Sequence, residues 1–365
     1  MPTRRRQTGQ GGARPRASVI VVAFNSARDL GGCLSSVLAD AGELAEVIVV
    51  DNRSADGSGD LVARSFPQVR LIRSETNVGF GAGCNLGAEA ATGDLLVFLN
   101  PDTEVDPGWL EALVEAWLDD PRVGACMSKL VMFSEPDVLN SAGGGMHYLG
   151  FGWPARCGER DDVNGAAYDV AFASGAAMLI SKQLFEAVGR FDPEFFMYCE
   201  DVDLSWRVRM AGYRVVCVPR SVVRHKYKFA PTPGKLYQLE RNRLLMILQN
   251  YQATTLAVLL PAIAAAEAAL LAYFTCQGLG GAKMRAILSA LRHLPTVVAK
   301  RRRLRRTRTV SDSALVPLLS PRLETDLLGG APLLRLANHI SGAYWKLARP
   351  LIRTLAGHAR EEVPA

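Results

Sequence analysis

The sequence predicts an open α/β fold of Rossmann-like type, and three observations carry that reading. Ser18–Phe24 (SVIVVAF) and Glu46–Asp51 (EVIVVD) are continuous apolar runs, the pattern of strands covered on both faces. Between them, Ala27–Asp40 sets Leu30, Leu34, Val37 and Leu38 at helical spacing. Two further short runs, Val69–Ile72 and Asp94–Leu99 (DLLVFL), flank a glycine-rich helix start at Gly79–Ala91, completing a β-α-β-α-β-α-β order.

Beyond Asp102 the regularity loosens. Pro107–Asp119 reads as a helix capped by Asp106, and Ala125–Tyr168 reads as strand and loop. Ala173–Leu204 holds an apolar strand, a helix at Ser181–Val188 and a polar loop ending in EDVDL. In 365 residues, 49% apolar and 21% charged, there is enough apolar material for a real core. The net charge of +6 is concentrated at the two ends. The opening residues 1–16 lack an apolar run, so they read as a disordered basic arm rather than a signal peptide. Seven scattered cysteines without a CxxC pair argue against a disulfide framework or zinc site and suit a reducing cytoplasm. The expected layout is therefore this arm, a catalytic domain over 17–250, an apolar and basic helical segment over 251–308 and an amphipathic helical region over 309–365.

In open α/β sheets, ligands bind beyond the carboxyl ends of the strands, so polar residues closing strands are the first candidates. Ala23, Phe24 and Asn25 close the first strand, and Asp51 closes the second at DNRSADGS. Asp51 can accept from a base or ribose; together with Asn52 it can equally satisfy turn backbone. Asn77, Gly79 and Asn85 belong to NVGFGAGCN, where glycines let backbone approach a ligand or simply make a tight turn into a helix. Asn100 and Asp102 follow DLLVFL, where a carboxylate can share a divalent cation with a diphosphate. Glu200, Asp201 and Asp203 crowd three carboxylates into four residues, which raises at least one pKa unless something compensates, and suits a general base. The same three could form a solvated helix start. His225 gains a role only if it folds back near Asp102, and Glu240–Arg243 offers either a cationic contact to phosphate or a solvated helix face.

Taken in order, SVIVVAFNS, VIVVDNRSADGS, NVGFGAGCNLGAEAATGDLLVFLNPDT, ASGAAMLISKQLFEAVGRFDPEFFMYCEDVDLSWRVRMAGYRV and a later histidine resemble family 2 glycosyltransferases of the GT-A fold. The resemblance runs from about Ser18 to Tyr251 and is nearest the bacterial branch of rhamnosyltransferases and galactofuranosyltransferases. It implies a mixed sheet flanked by helices and an inverting, metal-dependent transfer from a nucleotide-diphosphate sugar, with Mg2+ or Mn2+. By the same resemblance Asp51 contacts the base, and Asn77 and Asn85 shape the donor pocket. Asp102 is the metal carboxylate of a DxD-like element whose first position is Asn100, His225 the second protein ligand and Asp201 the base. Asp203, Trp206 and Arg207 line the acceptor side or brace the loop.

The C-terminal third differs in kind. Thr254–Phe274 is almost wholly apolar apart from Pro261 and Glu267, which disfavour a clean span and favour an in-plane or re-entrant helix, a buried helix packing against the catalytic domain being the other reading. No acid occurs from Ala268 through Ser311, a stretch that includes KRRRLRRTR at Lys300–Arg308. Leu333, Leu336, Ile340, Tyr344, Leu347, Leu351 and Leu355 form an amphipathic stripe beside Arg335, Lys346, Arg349 and Arg353, with Pro350 bending the helix. These features point to an anionic membrane surface at the cytoplasmic face, not to nucleic acid, since no aromatic interleaving accompanies the basic run. A polyprenyl-diphosphate-linked glycan is the expected acceptor, and the resemblance alone implies dTDP-rhamnose as the first donor, with UDP-galactofuranose as an alternative. A noncatalytic docking protein retaining the fold is the other reading. A nicotinamide-dependent oxidoreductase is excluded by the absence of glycine after the first strand.

Overall fold

The computed structural model describes residues 14–40, 45–226, 232–324 and 331–357. Most of the expected basic arm therefore lies outside the described residues. Two compact units emerge: Met1–Gly144, Pro154–Val208 and Tyr213–Lys228 form the first, and Gly145–Trp153, Arg209–Gly212 and Phe229–Ala365 the second.

Along the chain, β1 (Ala17–Ala23), α1 (Ala27–Asp40), β2 (Ala45–Asp51), α2 (Ser58–Ser65), β3 (Arg70–Arg73), α3 (Phe80–Ala90) and β4 (Leu95–Leu99) alternate as expected. Then come β5 (Thr103–Val105), α4 (Trp109–Asp119), β6 (Val123–Met132), β7 (Leu139–Ser141), β8 (Gly144–His147), β9 (Gly152–Pro154) and β10 (Tyr168–Asp169). β11 (Ala177–Ser181), α5 (Lys182–Ala187), α6 (Glu200–Met210) and β12 (Arg214–His225) follow.

The first unit is built on a mixed sheet of order β10-β12-β6-β11-β4-β1-β2-β3, with β5 on β12 and β7 on β6. Its β4-β1-β2-β3 part is parallel, and β1 and β4 are buried along their whole length, which is why both read as unbroken apolar runs. β11 enters antiparallel between β4 and β6. Helix α4 begins at Gly108 in a left-handed conformation without a side-chain cap, so the expected Asp106 cap does not form. Asp106 instead pairs with Arg224 at 2.9 Å.

The second unit contains α7 (Pro233–Asn250), α8 (Ala253–Cys276), α9 (Gly280–Arg292), α10 (Leu294–Leu304), α11 (Asp312–Leu315), β13 (Leu319–Ser320) and α12 (Ala331–Leu355). Helix α7 packs against α9 and α10, so contacts group it with the C-terminal helices rather than with the catalytic domain. Glu240, Arg241, Asn242 and Arg243 are buried, which removes both the solvated-face reading and the phosphate-contact reading. Arg243 and Lys283 pair with Glu240 and Glu267, so the acid inside α8 is neutralised within the unit. In α12 the buried face is Trp345, Ala348 and Ile352, continued by Ala356 just past its end, with Trp345 stacked on Tyr148 at 4.6 Å. The leucine stripe read from the sequence faces outward instead: Leu333, Leu336, Ile340, Leu347, Leu351 and Leu355 are all exposed.

Candidate active site

The ends of β1 and β2 lie side by side, with Ala23 in register with Asp51. Phe24 is exposed, and Asn25 takes a positive φ of 51°. Asn25 Oδ1 accepts from Ala55 N at 2.8 Å, and Asp51 Oδ1 accepts from Ser54 N at 2.9 Å, which fixes the DNRSADGS turn. Gly59 leaves room for the Asp51 carboxylate: a Cβ there would lie 2.1 Å from Asp51 Oδ2 and push it aside.

Asn52, read from sequence only as a turn residue, organises the next loop. Its Nδ2 donates to Asn77 Oδ1 at 3.0 Å and Gly79 O at 3.1 Å, while its Oδ1 accepts from Val78 N at 2.9 Å. Gly79 has φ 85°, and a Cβ there would meet the Phe196 carbonyl oxygen at 2.2 Å, so the two loops touch through backbone. Asn85 exchanges two hydrogen bonds with the backbone of Phe191, at 2.9 and 3.2 Å. The amides of Asn77 and Asn85 are thus engaged in framing these loops.

His225 and Asp102 meet because β12 returns antiparallel to β5, with His225 in register with Thr103 and Lys226 N donating to Asp102 O at 2.9 Å. His225 Nε2 lies 3.4 Å from Asp102 Oδ1, and Nδ1 lies 2.9 Å from Asn140 Oδ1. An amide oxygen only accepts, so Nδ1 donates and Nε2 is the nitrogen turned toward Asp102, available as a lone pair whenever a cation takes the place of its proton. A lone pair facing a carboxylate is a donor set that a divalent cation completes, and hydrogen bonding of the far ring nitrogen is the usual way a ligating imidazole is oriented. Burial works to raise the Asp102 pKa, but with no cation between them a protonated His225 ring, by donating from Nε2 and by its charge, followed by the charge of Lys226, holds it below the usual carboxylate range. Among the described residues no cluster of three or more His, Cys, Asp or Glu could hold a metal, so these two would share it with oxygens of a bound diphosphate. Asn100 is fixed through backbone, its carbonyl accepting from Thr103 Oγ1 at 2.7 Å.

The loop before α6 is strained: Phe196, Tyr198 and Cys199 all have positive φ, between 58° and 69°. Such residues persist only where their surroundings over-determine them. They deliver Glu200 and Asp201 into a partly desolvated place rather than onto a solvated helix start. Glu200 is 6% exposed, and its Oε2 has no hydrogen-bond partner among the described residues. Burial, reinforced by the Asp201 charge, pushes the Glu200 carboxyl up to about 8. Burial also raises Asp201, against hydrogen bonds from Gly175 N at 3.0 Å and Val202 N at 2.8 Å. Asp203 and Arg207 are buried with Trp206, and the guanidinium grips Asp203 Oδ2 at 2.6 and 2.8 Å and Val188 O at 2.6 Å. That burial favours bracing the loop over touching an acceptor.

The profile of Glycosyl transferase family 2 matches residues 18–189. A Mycobacterium tuberculosis protein, N-acetylglucosaminyl-diphospho-decaprenol L-rhamnosyltransferase, is 31% identical over 230 residues, covering 57% of this chain and 75% of the relative. The O-antigen biosynthesis protein RfbC of Myxococcus xanthus is 32% identical over 190 residues, covering 49% of this chain and 15% of that protein. Among solved structures, GalNAc-T7 with UDP, GalNAc and Mn2+ superposes with a TM-score of 0.54 at 18% identity, covering 64% of this chain and 48% of that one, which is a likeness of fold.

Proposed function

Because the chain belongs to glycosyl transferase family 2 and is a glycosyltransferase of GT-A-like fold, we propose that it transfers L-rhamnose from a dTDP-linked donor to a polyprenyl-diphosphate-linked glycan, inverting the anomeric centre. The printed activity of the M. tuberculosis relative supports the sugar and the lipid-linked acceptor. The structural observation that carries nucleotide-sugar chemistry is the Asp102–His225 pair at the carboxyl ends of β4 and β12.

Asp102 and His225 would hold Mg2+ or Mn2+, which acts as a Lewis acid on the diphosphate leaving group. Asp51, with Ala23, Phe24 and Asn25 beside it, receives the nucleotide, while Asn52, Asn77 and Asn85 hold the loops around it. Glu200, the more deeply buried acid, keeps the proton that the pair shares, which leaves Asp201 ionised. Asp201 then takes the acceptor hydroxyl proton as the oxygen attacks opposite the leaving group, and a single displacement inverts configuration.

The reaction runs at the cytoplasmic face of the plasma membrane. Helix α8 is long and apolar enough to cross a bilayer, and it lies in the plane of the membrane with the exposed α12 leucines, among basic residues that attract anionic headgroups. The test is transfer by the full chain to a short polyprenyl-diphosphate N-acetylglucosamine acceptor, with dTDP-rhamnose and UDP-galactofuranose offered separately with and without EDTA. EDTA-sensitive rhamnosyl product is expected; turnover of UDP-galactofuranose alone overturns the donor assignment.

A further inference from the structure

A cavity of about 300 Å³ lies wholly within the second unit, walled by the end of α7, the first residues of α8 and the basic end of α10. Arg301, Arg305 and Arg308 all line it, together with Tyr251, Gln252 and Thr254. No acidic side chain is among its lining residues. Asp312 sits behind the wall, pairing with Arg308 at 2.8 Å and accepting from Gln252 N at 2.6 Å. Of the three guanidiniums, Arg308 alone pairs with that carboxylate among the described residues.

Helix capping accounts for part of this arrangement. Arg301 Nη1 donates to Leu248 O at 2.5 Å and Tyr251 O at 2.6 Å, and Arg308 donates to Asn250 O, so both close the carboxyl end of α7. Capping leaves Arg305 unexplained. It is exposed at the cavity, and its side chain makes no ion pair or hydrogen bond among the described residues. Burial and then the charges of Arg305 and Arg308 hold Arg301 below its ordinary value, so the cluster is electrostatically under-compensated. The first turn of α8, with no side-chain cap at Gln252, adds the positive end of a 24-residue helix to the same wall.

We propose that this cavity binds a phosphate group, separately from the nucleotide-sugar residues of the first unit. Guanidinium forks match phosphate oxygens in charge and geometry, and the volume is at the small end of ligand sites. A soluble phosphate and an anionic phospholipid headgroup share this chemistry.

The experiment measures inorganic phosphate binding to the full chain by calorimetry, at ionic strength held constant with chloride, and co-sedimentation with phosphatidylglycerol against phosphatidylcholine vesicles. Arg305→Glu is compared with Arg306→Glu, which makes the same charge change at an exposed neighbour outside the cavity lining. Arg305→Glu is expected to weaken binding about tenfold or more, the loss of a charged hydrogen-bond donor, with Arg306→Glu far milder. Arg305-dependent binding of vesicles alone assigns the headgroup; of phosphate alone, a soluble ligand; and competition between them, one shared site. Equal weakening by the two variants, or no binding of either probe by the wild-type chain, overturns the proposal. Dependence on Asp102 is the mark of the donor site, so failure here leaves the transfer reading standing.

Discussion

Asn140 holds the ring of His225: its Oδ1 lies 2.9 Å from Nδ1, which leaves Nε2 directed at Asp102. Both side chains are buried. Loss of a group that orients a metal-binding imidazole ordinarily costs about 10–100-fold in metal affinity. Asn140→Leu is therefore expected to raise the Mn2+ concentration for half-maximal transfer by that order, while Asn140→Asp, which keeps an acceptor, recovers much of it. A metal-activation curve for Asn140→Leu that overlays the wild type would show that the amide does not position the ring.

Glu200 and Asp201 give the clearest separation of binding from chemistry. Removing a general base costs about 10²–10⁴-fold in rate. Asp201→Asn should lose transfer by that order, with donor affinity, measured by calorimetry with the nucleotide sugar, changed less than about twofold on the same argument that the base acts only on the acceptor. Retained transfer would remove Asp201 from the role of base.

The same pair sets the pH dependence. Burial raises both carboxyls, Glu200 to about 8, so the folded chain holds a proton that the unfolded chain releases near the ordinary carboxylate value of 4.5. More protons bound in the folded state means that stability falls as pH rises from about 4.5 and levels off above about 8. Glu200→Gln, which cannot ionise, should flatten that slope in thermal melts collected across this range. A wild-type melt insensitive to pH between these limits would contradict a raised pair.

The strand ends were legible because covered parallel strands are continuous apolar runs, and each polar residue that closes one is then a candidate by position. Asp51 and Asp102 could be picked out in that way, whereas Asp201, in the first turn of α6, stood out by the crowding of three carboxylates. What the text could not provide was pairing. Nothing local marks β11 as antiparallel, and nothing near His225 says that β12 returns along β5 to meet Thr103. Asn52 was passed over because its partners, Asn77, Val78 and Gly79, are 25 to 27 residues away. For Asp203 and Arg207 the sequence left open whether they line the acceptor side or brace the loop, because adjacent charges read alike whether solvated or paired inside.

Lys283 is 0% exposed and bonds Glu240 and Glu267, while Arg243 bonds the same two acids. Burial works to raise Glu240, but the charges of Arg243 and Lys283 bring it down to about 2, so Glu240 is ionised near neutrality. Lys283→Met leaves two carboxylates with one cation and should destabilise the chain by about 3–5 kcal/mol. Thermal unfolding measures it; a loss under about 1 kcal/mol, the level of an exposed pair, would mean that water reaches the cluster.

The two faces of α12 make opposite predictions. Leu347 is 72% exposed and Leu351 52%, whereas Ile352, one residue further on, is 0% exposed. Periodicity finds a stripe but not what it meets: Tyr344 bonds the Val258 carbonyl and stacks on Tyr148, while the leucines and Ile340 stay exposed. If its occupant is a bilayer, Leu347→Glu with Leu351→Glu should shift stability by no more than about 0.5 kcal/mol per site, as for ordinary surface positions. Binding to phosphatidylglycerol vesicles should fall steeply, because buried apolar area and headgroup attraction together hold an in-plane helix. Ile352→Ala should do the reverse, costing about 2–5 kcal/mol from the cavity it leaves while the outward leucines remain for the membrane. Vesicle co-sedimentation and thermal melts on both variants decide it: a double glutamate variant that melts far below the wild type would place the leucine stripe inside a protein interface instead of against lipid.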